Sequence, residues 1–104
     1  MANDTTLQNI HDAVSLFKIY SDTTRLRIIE LLLEQDYCVQ DIADQLGASQ
    51  SAVSHQLKLL RDRHVVRARK QGKQVFYSLQ DNHIKEIFLM AYHHVTECND
   101  KTGE

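Results

Sequence analysis

The chain has 104 residues, 42% hydrophobic and 25% charged, with a formal net charge of −2. That is the length of one small domain, whose core is modest enough for a second copy to help close it. No apolar run approaches the roughly eighteen residues of a membrane span, and the polar start MANDTTLQN is no signal peptide. With Cys38 and Cys98 too few and too far apart for a disulfide framework, a cytoplasmic protein without a membrane partner is expected.

Residues 6–20 have the spacing of a helix. Leu7, Ile10, Val14 and Phe17 recur at steps of three and four, and Ala13, Leu16 and Tyr20 make a second apolar face. Two faces on a short terminal helix predict packing on its own core and on a partner chain. A second helix follows at about 23–35, TTRLRIIELLLEQ, with Asp22 or Ser21 as its N-cap. It is apolar nearly all round from Leu26 to Leu33, as a central core helix would be.

Residues 39–46, VQDIADQL, predict a short helix ending at Gly47, and residues 50–62 another after Ser49. Helix, glycine turn, helix is the outline of a helix-turn-helix. Ala43 is small enough for a close crossing, and Gly47 suits a left-handed turn. Ile42, Leu46, Val53, Leu57 and Leu60 are spaced to hold the two helices together. An ordinary helical hairpin has the same outline, so the sequence that follows decides. There Lys58, Arg61, Arg63, Arg67, Arg69, Lys70 and Lys73 stand against Asp62 alone, a local charge of +6 in a chain whose remainder carries −8. A bare charge run is usually a solvated face. Directly after a helix-turn-helix it is an electrostatic footprint for nucleic acid.

In that motif the second helix enters the major groove with its N-terminal residues at the base edges. Gln50, Ser51, Ser54 and His55 hold those places and can all donate or accept hydrogen bonds. Lys58 and Arg61, further along, suit phosphates. Residues 65–79, VVRARKQGKQVFYSL, read as a β-hairpin with its tight turn at Gln71-Gly72. Such a hairpin is a wing, aiming Arg67, Arg69, Lys70 and Lys73 at backbone phosphate or the minor groove.

The closing helix, about 81–98, is capped by Asp81 or Gln80, and residues after Glu97 are expected to fray. Ile84, Phe88, Ala91 and Val95 form a stripe expected in the core of the same subunit. A second stripe, His83, Ile87, Met90, His94 and Glu97, steps by four, three, four and three, as in a helix that pairs with another helix. Its ends carry metal-ligand types. His83 and His94 share a face but lie about 16 Å apart along the axis, at 1.5 Å per residue. Metal–nitrogen bonds are only about 2.0–2.1 Å, so one copy cannot close a site around both. Two antiparallel copies would bring Asp81 and His83 of one to His94 and Glu97 of the other, giving two identical four-ligand sites. A solvated polar helix end with surface histidines is the plainer alternative on spacing alone.

With these parts in order, the chain resembles the ArsR/SmtB family of bacterial metal-sensing winged-helix repressors. The resemblance spans nearly the full length, carried by SDTTRLRIIELL, CVQDIADQLGASQSAVSHQLKLLR and RKQGKQVFYSLQDNHI. It implies a mainly α fold with a small β-hairpin, one winged helix-turn-helix domain over 1–104. It further implies a homodimer built on the first and last helices that binds an imperfect inverted repeat in double-stranded operator DNA. Metal would weaken that binding and switch on an efflux or storage gene. The zinc-sensing branch has D-x-H near the start of the last helix and H-x-x-H or H-x-x-E near its end, shared across the dimer. Asp81-x-His83 and His94-x-x-Glu97 match it. Such a thiolate-free set suits tetrahedral zinc, with cobalt, nickel or cadmium as alternatives.

Thiol-rich members of the family carry C-V-C at the third helix. Here Cys38-Val39-Gln40 lacks the second cysteine. Cys38 with Asp41, aided by His11 or Asp12, would make a weak second site, and a structural cysteine is the simpler reading. His93 and Cys98 flank the seam and are left out of the ligand set. Coupling to DNA is expected to run from a ligating histidine through its other ring N–H, with the backbone carbonyl at His64 accepting from His94.

Three other functions compete: a regulator of the same fold that answers to a thiol oxidant through Cys38 and Cys98, an enzyme, and a DNA-binding protein with no ligand. An enzyme is disfavoured because no activating-base pair, phosphate loop or nucleophile motif is present.

Overall fold

A computed structural model describes residues 4–102. Over these, the order is α1 (Asp4–Tyr20), α2 (Thr23–Leu31), β1 (Tyr37–Cys38), α3 (Val39–Leu46), α4 (Gln50–Asp62), β2 (Val66–Gln71), β3 (Gln74–Leu79) and α5 (Asn82–Thr102). The strands form one antiparallel sheet in the order β1-β3-β2.

Most boundaries have a visible local cause. Asp22, not Ser21, caps α2, its carboxylate accepting the Arg25 N–H at 3.0 Å. This helix stops at Leu31, short of the expected 35, where the Leu32 N–H is shared between the carbonyls of Ile28 and Ile29, each at 3.1 Å. Such a bifurcated bond tightens the last turn and lets the chain bend away. α3 closes on Gly47 at φ 65°, and the Ala48 N–H reaches back to the Ala43 carbonyl at 3.0 Å. The left-handed residue and the six-to-one bond together satisfy carbonyls that the helix end would leave bare. The Ser49 hydroxyl starts α4 by accepting the Ala52 N–H at 3.1 Å.

The wing turn is Gly72-Lys73, one residue later than expected. Gln71 still pairs with Gln74, and Gly72 takes φ 64°. β1 was not anticipated, since two residues leave no periodicity to read. It aligns Tyr37 with Tyr77 and Cys38 with Phe76, adding a strand on the far side of β3 from β2. Asp81, not Gln80, caps α5 by accepting the His83 N–H at 2.9 Å. α5 continues to Thr102 instead of fraying after Glu97.

The core lies where the helix-turn-helix meets α2 and the root of the wing. Ile28, Ile29, Ile42, Val53, Leu57, Leu60, Val65 and Val66 are sealed from solvent, with Ala43 at the close crossing. α1 adds Ile19, and α5 adds Ile84 and Phe88. Ala91 and Val95, expected in this core, are exposed. Beyond Phe88 the helix outruns the core, and both line an open apolar groove with Phe17, Tyr20 and Leu26. The radius of gyration is 15.7 Å, against about 13 Å for a compact chain of this length.

Candidate metal centre and nucleic-acid interface

The excess size goes with an unburied apolar seam. Among the described residues the large exposed hydrophobics are Leu7, Ile10, Val14 and Phe17 on α1 and Met90, Tyr92 and Val95 on α5, between 47% and 74% exposed. These are one whole stripe of α1 and the outer side of α5. Phe17, Ile87, Met90, Ala91 and His94 line one groove between the two helices, with Glu97 at its edge. Scattered apolar residues at a surface need no cause, but a continuous band on two adjacent helices marks a contact face.

The proposed metal ligands sit at the two ends of α5. At its start, Asp81 and His83 are exposed and adjacent, Nδ1 of His83 lying 3.4 Å from Oδ1 of Asp81. The cap bond to the His83 N–H uses that same oxygen, which leaves Oδ2 of Asp81 for a metal. At the other end His94 and Glu97 are also exposed. Among the described residues no group of three or more His, Cys, Asp or Glu side chains could hold a metal. Each end is thus an incomplete set whose oxygen and nitrogen donors suit zinc. The Cys38, Asp41 and His11 combination is not assembled either. Cys38 is 6% exposed on β1, while Asp41 and His11 face solvent on separate helices.

The helix-turn-helix presents the expected polar face. Gln50, Ser51, Ser54 and His55 are exposed at the start of α4, while Val53, Leu57 and Leu60 hold its opposite side in the core. Lys58 and Arg61 follow on the outside, Lys58 in a loose exposed pair with Asp62 at 3.7 Å. On the wing Arg67, Lys70 and Lys73 are exposed. Arg69 is engaged differently: its guanidinium passes 5.8 Å from the Phe76 ring centroid and bonds Asp36 at 2.8 Å. It straps the base of the wing to the segment before β1, on the other side of the middle strand.

Residues 22–68, from the cap of α2 into β2, match the family model described as bacterial regulatory protein, arsR family. A transcriptional repressor SmtB homolog from Synechocystis sp. is 37% identical over 89% of this chain and 70% of its own length. A cadmium resistance transcriptional regulatory protein CadC homolog from Staphylococcus aureus is 40% identical over 90% of this chain and 78% of its own. This chain belongs to the arsR family. The solved structure of HlyU from Vibrio cholerae N16961, 33% identical, superposes with a TM-score of 0.77 over 82% of this chain and 92% of that one. The arsR-family chain is therefore a winged helix-turn-helix transcriptional regulator that binds DNA, and not an enzyme.

Two features of this arsR-family chain escaped the sequence reading. Arg25 ties three helices together: its Nε bonds the Ile19 carbonyl at 3.1 Å, one terminal nitrogen the Lys18 carbonyl at 3.2 Å, and the other Oε1 of Gln56 on α4 at 3.4 Å. Close by, the Tyr20 hydroxyl donates to the Ile84 carbonyl at 2.7 Å, joining the end of α1 to the first turn of α5. Burial, and secondarily the Asp81 carboxylate, pushes the Tyr20 phenol up to about 12. A carbonyl partner and a fork-shaped donor carry no periodic signal. The second feature is Cys98, whose Sγ lies 3.7 Å from Nε2 of His94. The four-residue spacing on one helix was its available sign.

Proposed function

We propose that this regulator is a zinc-responsive repressor acting as a homodimer. The observation that supports it is the pair of incomplete ligand sets at opposite ends of one helix whose outer side is apolar and uncovered. Antiparallel pairing of α5 with α5 covers that side, with the α1 stripe beside it. It also gives each of two symmetric sites Asp81 and His83 from one copy and His94 and Glu97 from the other. Zinc supplies a tetrahedral tie across the seam; cobalt, nickel and cadmium are the alternatives for the same positions. The regulator works in the cytoplasm.

Twofold symmetry repeats α4, so the dimer addresses an imperfect inverted repeat in double-stranded operator DNA, half-sites about one turn apart. Gln50, Ser51, Ser54 and His55 read bases, and Lys58, Arg61, Arg67, Lys70 and Lys73 hold phosphates. The metal-free dimer has the right spacing. Zinc favours an arrangement whose spacing is wrong, so DNA is released and metal efflux or storage genes are expressed. His64, at the end of α4 with φ 59°, offers its carbonyl to the other ring N–H of His94 as the link between seam and recognition helix.

Zinc titrated into the dimer on fluorescent operator DNA should weaken binding by about 5- to 150-fold, the usual range of such coupling. His83→Ala should abolish that response while leaving metal-free binding intact. Unchanged DNA affinity at saturating zinc would overturn the reading. A His94→Gln variant that still binds zinc tightly and still releases DNA normally would remove His64 from the wiring.

A further inference from the structure

The geometry points to Cys98 as a metal ligand at the C-terminal end of α5, paired with His94 in the place given above to Glu97. This rests on the reading of α5 as the metal-binding helix and changes the donor set of its sites. Four residues apart on a helix, two side chains lie one above the other, the spacing by which paired histidines on one helix chelate zinc. Zinc bonds of about 2.0–2.1 Å to nitrogen and 2.3 Å to sulfur, opened to a tetrahedral angle, hold the two ligand atoms about 3.6 Å apart. Nε2 of His94 and Sγ of Cys98 stand 3.7 Å apart. The pair already has the bite of a tetrahedral ion. By contrast, no hydrogen bond or ion pair joins His94 to Glu97 among the described residues.

Both side chains are exposed, as an intersubunit site entered from solvent requires. On binding, the thiol hydrogen leaves to solvent and the thiolate takes the coordination position. A site of Asp81 and His83 from one copy with His94 and Cys98 from the other is softer than one closed by Glu97. It ranks thiophilic ions such as cadmium and zinc above nickel.

Cobalt(II) titrated into the reduced full-length protein without oxygen tests this directly. A near-ultraviolet thiolate-to-cobalt charge-transfer band should rise together with the visible bands of a tetrahedral ion. The band should persist in Cys38→Ala and in Glu97→Gln. It should vanish in Cys98→Ser, with cobalt bound at least about tenfold more weakly, as when a supporting partner is lost at other metal sites. Cys98 is exposed, so that variant should fold. Tetrahedral visible bands without the charge-transfer band would overturn the role of Cys98 and leave the Asp81, His83, His94 and Glu97 site standing. A band that disappears in Cys38→Ala instead would place the thiolate at β1 and overturn it as well. No cobalt uptake at all would remove both this inference and the metal-site reading it rests on.

Discussion

From α2 to the wing the chain buries its apolar residues, and along α1 and α5 it leaves them open. Ile28, Ile42, Leu57 and Val65 are sealed, whereas Phe17 is 62% and Met90 74% exposed. Both regions carry helical apolar stripes of the same kind in sequence. The difference is that one set finds its complement within the chain and the other does not. Covering a side chain the size of Phe or Met fully is worth about 1.5–3 kcal/mol, so the open stripes represent stability available only through a second surface. The half that reads DNA folds on its own contacts. The half that carries the metal ligands is completed by association, which is where a regulated change costs least.

The largest test of this contrast is Leu57→Ala, expected to cost about 2–5 kcal/mol in urea unfolding through lost burial and a cavity. That loss should be the same at any protein concentration. Phe17→Ala should cost little in dilute protein and more as concentration rises, because its burial is intermolecular. Equal, concentration-independent losses for the two would erase the distinction. Next in size is Met90→Glu. A carboxylate in the seam should weaken dimerisation about 10- to 100-fold, taking roughly 1–3 kcal/mol for an uncompensated polar group. Sedimentation should show monomer while the helical circular dichroism stays unchanged. A dimer that tolerates this substitution would place the interface elsewhere.

The same contrast explains what could be read from the sequence. The helix-turn-helix was legible almost to the residue, because glycine turn, caps and helical stripes all act locally: Gly47 and Ser49 stand where expected. The stripe Ile84, Phe88, Ala91, Val95 was assigned to one core, and the chain divides it, burying the first two and exposing the others. Periodicity reports that a face will be covered and not by which molecule. β1 and the Arg25 links are long-range and aperiodic. For the candidate metal site, residue types and spacing were visible, but the approach of Cys98 to His94 depends on rotamers that a pattern does not carry.

Tyr20→Phe probes the joint between the two regions. It removes one hydrogen bond from α1 to the Ile84 carbonyl, a loss of about 0.5–1.5 kcal/mol. The phenol is raised from 10.0 to about 12, so its protonated form is the one the fold favours. Its contribution is complete below pH 10 and declines as pH rises from 10 through about 12. The difference in urea midpoint between the native chain and Tyr20→Phe should therefore narrow over that interval. A constant difference from pH 8 to 12 would mean the hydroxyl is not the element that matters at this joint.

The smallest effects separate the base of the wing from its tip. Lys73 follows Gly72 in the turn and is exposed, so a phosphate contact costs it no existing partner. Lys73→Ala should reduce the salt slope of DNA binding by about 0.9, the value of one phosphate neutralised. Arg69 lies in the same basic run but is bonded to Asp36 at 2.8 Å. Its removal should change the slope by less and lower folding stability by about 0.2–1 kcal/mol, as for an exposed pair. If Arg69→Ala instead matches Lys73→Ala in slope, the Asp36 pair yields to phosphate when DNA binds. The wing would then exchange an internal strap for an external one, and part of the half that seems complete would, like α1 and α5, be finished only by its partner.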